Sequence, residues 1–299
     1  TNLREERDKL GGDKLFRNDS KDGKELHFTD VSETAGIYGS LIGFGLGITI
    51  GDVNNDNWPD IYISNDFYER DYLYINQKNG TFKEDLENEM PHISLSSMGA
   101  DMADLNDDGY MDIFVTDMLP GDDRRLKTTS VFEGYNLVEL KKKRGFWNQY
   151  MRNNLQLNNG DGTFSENMKN AFGHISRFSM GVDVADINHD GFPDLMTLDM
   201  LPEDEKVLKS SAGDDNPQML KYRTEKLGYH FQYTRNMLQV NQGGKNFAEI
   251  ALMSGVAATD WSWSPLFADY DQDGEQDIFI CNGIPKRPND LDYIKYYSN

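Results

Sequence analysis

Four nine-residue stretches each place an oxygen-bearing side chain at positions one, three, five and nine. They are Asp52, Asn54, Asp56 and Asp60; Asp104, Asn106, Asp108 and Asp112; Asp186, Asn188, Asp190 and Asp194; and Asp269, Asp271, Asp273 and Asp277. Alternate side chains of a tightly turned loop converge on one point, and a hard cation such as Ca²⁺ takes several oxygens at about 2.3–2.6 Å. Position six needs a sharp turn. Gly109, Gly191 and Gly274 stand there, with Asn57 in the first loop, all residue types that accept the left-handed region. Position seven, held by Trp58, Tyr110, Phe192 and Glu275, would add a backbone carbonyl. The expected cofactor is therefore Ca²⁺, at one site per loop.

The same opening pattern begins an EF-hand loop, which ends in a bidentate Glu at position twelve. Here that position holds Ile63, Val115, Thr197 and Ile280, each inside a β-type run. The loops thus join strands, and Asp at position nine closes the site. One copy would read as an acidic surface turn. Four copies in one register do not.

A second motif lies between the loops. Leu73 to Asn76 leads through Asn79, Gly80 and Thr81 to Phe82; Leu155 to Asn158 leads through Gly160, Gly162 and Thr163 to Phe164; Leu238 to Phe247 is a third copy and Leu15 to Phe28 a looser fourth. Alternating residues on both sides of an Asn/Gly turn predict hairpins. A loop hairpin and a turn hairpin make a four-stranded unit, for example Gly99–Ala103, Asp112–Val115, Leu155–Leu157 and Thr163–Glu166. Repetition of such units predicts an all-β chain, a β-propeller of four-stranded blades. One repeat region over 1–299 is expected, with loops at 52–60, 104–112, 186–194 and 269–277.

Two of the intervals are longer. The extra residues, about 121–151 and 203–233, follow Asp117–Pro120 and Asp199–Pro202, the same connection in successive blades. Charged residues with scattered aromatics predict partly helical excursions on one rim, Val138–Lys143 among them, and an exposed turn at Asp214–Pro217. The sequence starts late in one blade and stops soon after Ile278–Ile280, which reads as a section of a seven- or eight-bladed ring.

The net charge of −21 makes a nucleic-acid backbone a poor partner. Four Ca²⁺ would leave the chain acidic. The one notable basic run, Lys141–Arg144, reads as a solvated helix face. Cys281 lies in a β run and is expected as buried packing, and no apolar stretch is long enough to span a bilayer.

Together these residues resemble the FG-GAP/VCBS repeat family of integrin-type propellers. Gly99 with Asp104–Asp112 and Gly181 with Asp186–Asp194 follow that repeat, and Phe44, Gly45 and Gly47 match its name-giving Phe-Gly. Asp117–Pro120, Asp199–Pro202 and Asp260–Trp263 further resemble the cartilage-acidic-protein-like bacterial subfamily, whose longer members carry an ASPIC/UnbV segment that is not present here. The resemblance implies an exported protein, extracellular, at the cell surface or periplasmic. Members are sometimes described as RNA-binding, which the acidic charge argues against.

The expected function is a calcium-stabilised scaffold that binds a protein or glycan, without enzymatic activity. A polysaccharide lyase or hydrolase on a calcium-bearing propeller is the alternative. A piece of a large surface assembly with no ligand site of its own is a third. The histidines His27, His92, His174, His189 and His230 have no metal-ligand spacing, and neither a nucleophile elbow nor a zinc-protease helix is present. Trp261 and Trp263, or Trp147 with Tyr150, are suited to sugar stacking, but blade packing is the preferred reading. Asp101 and Asp183, three residues ahead of their loops, would join the metal sites through water or stand exposed on a strand.

Overall fold

The computed structural model describes the chain apart from residues 1–2, 9, 22–24, 68, 119–139, 141–142, 145–146, 212–216, 227–229, 285–286, 288–289 and 299. It is an all-β protein built from propeller-like blades. An N-terminal hairpin, β1 (Phe16–Asn18) and β2 (Phe28–Asp30), leads into the first complete blade, β3 (Gly45–Gly51), β4 (Asp60–Asn65), β5 (Tyr72–Asn76) and β6 (Phe82–Glu84). A parallel bridge pairs β7 (Ile93–Ser94) with β10 (Gln149–Tyr150). The second blade is β8 (Ser97–Ala103), β9 (Asp112–Asp117), β11 (Asn154–Asn158) and β12 (Phe164–Glu166). A like bridge joins β13 (Ile175–Ser176) to β16 (Gln232–Tyr233), and the third blade is β14 (Val182–Ala185), β15 (Asp194–Thr197), β17 (Met237–Asn241) and β18 (Phe247–Glu249). Last comes a hairpin, β19 (Ser262–Ala268) and β20 (Asp277–Asn282).

Each complete blade is an antiparallel meander, so its first turn and its second lie at opposite ends. The acidic loops therefore occupy one end of the blades and the insertions the other. The first strands of successive blades lie against one another. A Cβ on Gly47 would stand 2.9 Å from the Cα of Gly99, and one on Gly181 2.5 Å from the carbonyl oxygen of Trp263. Only glycine permits that approach. A β-bulge recurs at this level, at Gly45/Gly47, Ser97/Gly99 and Ser262/Ser264.

The cores lie between blades. Tyr62 and Leu73 of the first pack with Ile113, Val115, Ala100 and Met102 of the second. Phe114 and Leu155 pack with Leu195, Val182 and Val184 of the third, and Met196 with Phe267 of the last hairpin. Every residue of β4 and β9 is buried, and each large apolar side chain so placed contributes about 1.5–3 kcal/mol. Helical turns after the fourth strands, Leu86–Glu89 and Met168–Ala171, cap these cores with Leu86 and Met168.

The second insertion is helical as expected, with helices Glu205–Ser210 and Pro217–Lys221 and a π-turn Tyr222–Lys226. Asp204 caps the first by accepting from the N–H groups of Lys206 and Val207. Of the expected helix at Val138–Lys143 only Leu140 and Lys143 are described, and both are helical; much of the first insertion and most of the Asp214–Pro217 turn fall outside the described residues. Among those described, no helix is long and apolar enough to cross a membrane.

Candidate metal centres

The four loops share one hydrogen-bond scheme. The carboxylate at position one accepts from the N–H groups of positions five and six: Asp104 from Asp108 at 3.0 Å and from Gly109 at 2.8 Å, with the same pattern at Asp52, Asp186 and Asp269. The side-chain oxygen at position three also accepts from the position-five N–H, at 3.1–3.2 Å. The position-five carboxylate accepts from position seven, as in Tyr110 N–H to Asp108 at 3.0 Å. These bonds turn the side chains of positions one, three and five inward.

Two residues per loop take left-handed backbone angles. Position six does so as expected, with φ between 66° at Asn57 and 96° at Gly274. Position four does so too, at Asn55, Asp107, His189 and Gln272, with φ of 55–63°. The sequence reading missed this second turn, although Asn, Asp and His are the non-glycine types most often found there.

Position nine fastens the loop to the blade. Oδ2 of Asp60, Asp112 and Asp194 accepts from the N–H of Val53, Leu105 and Ile187, while Oδ1 accepts from Asn76, Asn158 and Asn241 on the third strand at 2.8 Å. All three carboxylates are fully buried. Burial pushes Asp112 up to about 7; the two N–H donors pull it back, and the Asp108 and Asp104 charges push it up further. Asp60 and Asp194 are raised for the same reasons. Asp277 differs. It is exposed and accepts only from Tyr270 among the described residues.

Carboxylate and amide oxygens drawn together, with their mutual repulsion only partly offset by N–H donors, are a donor set for a hard cation. In the fourth loop, carboxylate oxygens of Asp269, Asp271 and Asp273 lie within 4.8 Å of one another, the one such triple among the described residues. That span suits ligands about 2.3–2.6 Å from a common ion. The first three loops have Asn at position three, so they bring two carboxylates and an amide oxygen together. Neighbouring loops also touch, through Asn55 Nδ2 to the Gly109 carbonyl at 2.8 Å and His189 to Glu275 at 3.3 Å.

Residues outside the loops depart from expectation in places. Asp101 and Asp183 are half-buried and face each other across adjacent first strands; burial, then the Asp183 charge, raise Asp101 to about 6 against the Met102 N–H. Asp183 also accepts from the Phe267 N–H at 2.6 Å. Cys281 is exposed rather than buried, because among the described residues no third strand covers β20. Trp147 is packing, with Nε1 donating to the Met90 carbonyl, whereas Trp263 remains 43 % exposed.

The opposite end of the blades holds a second set of carboxylates. Asp117 accepts from the Ser94 hydroxyl and from the N–H groups of Leu95 and Ser96; Asp199 accepts from those of Arg177, Phe178 and Met200. Each ties the segment entering its blade to the end of the second strand. Asp71 holds Tyr62 and Ser97 in the same region. Nearby, Arg152, Glu166 and His92 form one cluster and Arg235, Glu249 and His174 an equivalent one, each with a Tyr ring edge on its His.

Residues 52–115 and 146–197 match the family described as FG-GAP-like repeat. These two stretches are similar to FG-GAP-like repeats. They contain the first two acidic loops and the third, together with three strands of the first blade, nearly all of the second blade and the first two strands of the third. The loop at 269–277 lies outside the match but repeats the hydrogen bonding of the three loops inside it. Comparison with curated proteins returned no match.

Proposed function

We propose that the chain is a calcium-stabilised propeller scaffold, displayed outside the cytoplasm, that presents its insertion-bearing end to a protein or glycan. The observation that carries this reading is the common geometry of the four loops. In each, positions one, three, five and nine and the position-seven carbonyl would hold the ion, which supplies charge that the converging oxygens lack. The calcium is structural. It stiffens one end of each blade while the opposite end, where the insertions leave the blades, is left for recognition.

Asp117, Asp199 and the Asp260–Trp263 segment, which resemble the cartilage-acidic-protein-like subfamily, support placing the chain there. They organise the insertion-bearing end. The Arg–Glu–His clusters occur at equivalent places in two blades, which favours a bracing role over a catalytic centre and hence a binding protein over a lyase or hydrolase.

Isothermal titration of the chelated protein tests the reading. Four calcium ions per chain are expected, with one fewer after Asp104→Asn or after Asp186→Asn. Absence of calcium binding would sink it.

A further inference from the structure

The turn between the third and fourth strands has one form in the three complete blades. Its first residue donates its N–H to the carbonyl four residues on, Gln77 to Thr81, Asn159 to Thr163 and Gln242 to Asn246. The second residue is left-handed each time, with φ of 62° at Lys78, 72° at Gly160 and 71° at Gly243. Glycine takes that angle freely, whereas a residue with a Cβ is strained there. Of these three turns, only the first blade's carries a long side chain on it.

The strained residue stands over an acidic loop. A Cβ on Gly160 would lie 2.8 Å from the ring of Tyr110, position seven of the second loop, so the second turn residue faces the loop of its own blade. In the first blade Lys78 Nζ reaches Oδ2 of Asp56, the position-five carboxylate, at 3.2 Å. Oδ1 of Asp56 already accepts from the Trp58 N–H at 2.9 Å. In the second and third loops the corresponding Oδ2, of Asp108 and Asp190, accepts instead from the side-chain amide of Asn106 or Asn188 at position three. A neutral donor on those two loops is thus replaced by an ammonium on the first.

An exposed ion pair of this kind contributes little to stability by itself. A left-handed lysine, held where the other blades have glycine and carrying its charge to a candidate ligand, is an outlier that points to function. We propose that Lys78 is a tethered counter-cation that regulates the first acidic loop, neutralising Asp56 while calcium is scarce and making this site weaker than the second and third. The proposal rests on the calcium reading above. Asp56 is one of the carboxylates that would hold the ion, and an ammonium fixed on it repels an incoming cation. Asp108 and Asp190 have only an amide to release. The first loop therefore fills last of these three as calcium rises.

Trp58 makes the first loop readable on its own, because it is the one tryptophan in the four loops. Terbium, a luminescent substitute for calcium, is added to the chelated full chain, excited through tryptophan, and then displaced with calcium. Lys78→Gly supplies the residue found in the other two blades, and Lys78→Met removes the charge but keeps a Cβ at the left-handed angle. Both should tighten calcium binding at the first loop by about 3- to 10-fold, the effect of one nearby charge in a high dielectric, and the gain should shrink as salt is added. Calorimetry should count the same number of ions in all three proteins. An affinity unchanged in both variants, or raised only in Lys78→Gly, would overturn the proposal, since charge would then not be the cause. Calorimetric calcium binding with no terbium signal from Trp58 would overturn it as well, and would leave the calcium reading standing at the other loops. Absence of binding by both readouts would sink the calcium reading itself, and this proposal with it.

Discussion

The backbone N–H of Asn158 donates to Oδ1 of Asp112 at 2.8 Å, while its side-chain Nδ2 donates to the carbonyl of Val53 in the preceding acidic loop at 2.7 Å. One residue thus joins a loop, a third strand and the neighbouring blade. Asn158→Ala keeps the backbone bond but strands the carbonyl of buried Val53 and loses the bond to the Met111 carbonyl, at a cost of about 1–3 kcal/mol. Among the described residues, Asn76 Nδ2 donates only within its own blade, to the Pro59 carbonyl. Urea unfolding should therefore show a smaller loss for Asn76→Ala than for Asn158→Ala, and equal losses would refute the coupling between blades.

Stability should fall with rising pH through the buried carboxylates at the insertion-bearing end. Burial pushes Asp71 and Asp117 up to about 7 and Asp199 to about 6, against hydrogen bonds that pull each down. An unfolded Asp titrates near about 3.9. The folded state therefore keeps protons that the unfolded state releases. This stabilising contribution is complete below about pH 4 and is lost as pH rises to about 7. Asp117→Asn retains an acceptor oxygen for the Ser94 hydroxyl and the two N–H groups, so it should flatten the difference in urea midpoint between pH 5 and pH 8, measured in chelator. A variant with the unaltered pH slope would count against Asp117 as a source.

Two glycines should respond to alanine for different reasons. At Gly181 the new methyl would meet the Trp263 carbonyl, and overpacking of that kind costs about 1–3 kcal/mol. At Gly109 a Cβ meets nothing within 4 Å, but φ is +87°, so the cost is backbone strain of about 1–2 kcal/mol. Asn57 occupies the equivalent position in the first loop at φ 66°. Gly109→Asn should therefore recover most of the loss, whereas Gly181→Asn should worsen it. Denaturant midpoints of the four variants separate the two mechanisms.

The acidic loops, the hairpins and their grouping into blades were legible because each is written in local spacing, and local spacing sets turns and strands directly. Helical character in the second insertion followed from composition in the same way. Pairings across distance were not legible. Asp101 looked like an exposed or water-linked strand residue, since nothing near it in sequence announces Asp183 on the adjoining first strand. Cys281 reads as buried because it lies in a β run, yet a second strand is buried only when a third lies beside it. Asp117 and Asp199 were visible as a repeated Asp-Met-Leu-Pro pattern, but their task of holding the entering segment requires N–H groups about twenty residues upstream, as at Leu95.

The fourth loop should also differ from the other three in what its ion does for stability. Asp112 is buried and fastened to β11, so an ion in the second loop would secure the third strand as well as the turn. Asp277 is exposed, with no third-strand donor among the described residues. At a calcium concentration about 100 times Kd, a site linked to global unfolding adds about 2.7 kcal/mol, and each kcal/mol moves the midpoint of a domain this large by about 2–4 °C. Asp104→Asn should then lower Tm in calcium by about 5–10 °C. Asp269→Asn should release one ion with a change of less than about 2 °C, because a terminal hairpin can open without the three complete blades. Scanning calorimetry in calcium and in chelator distinguishes the cases, and equal shifts for both variants would mean that β19–β20 is as firmly integrated as the complete blades.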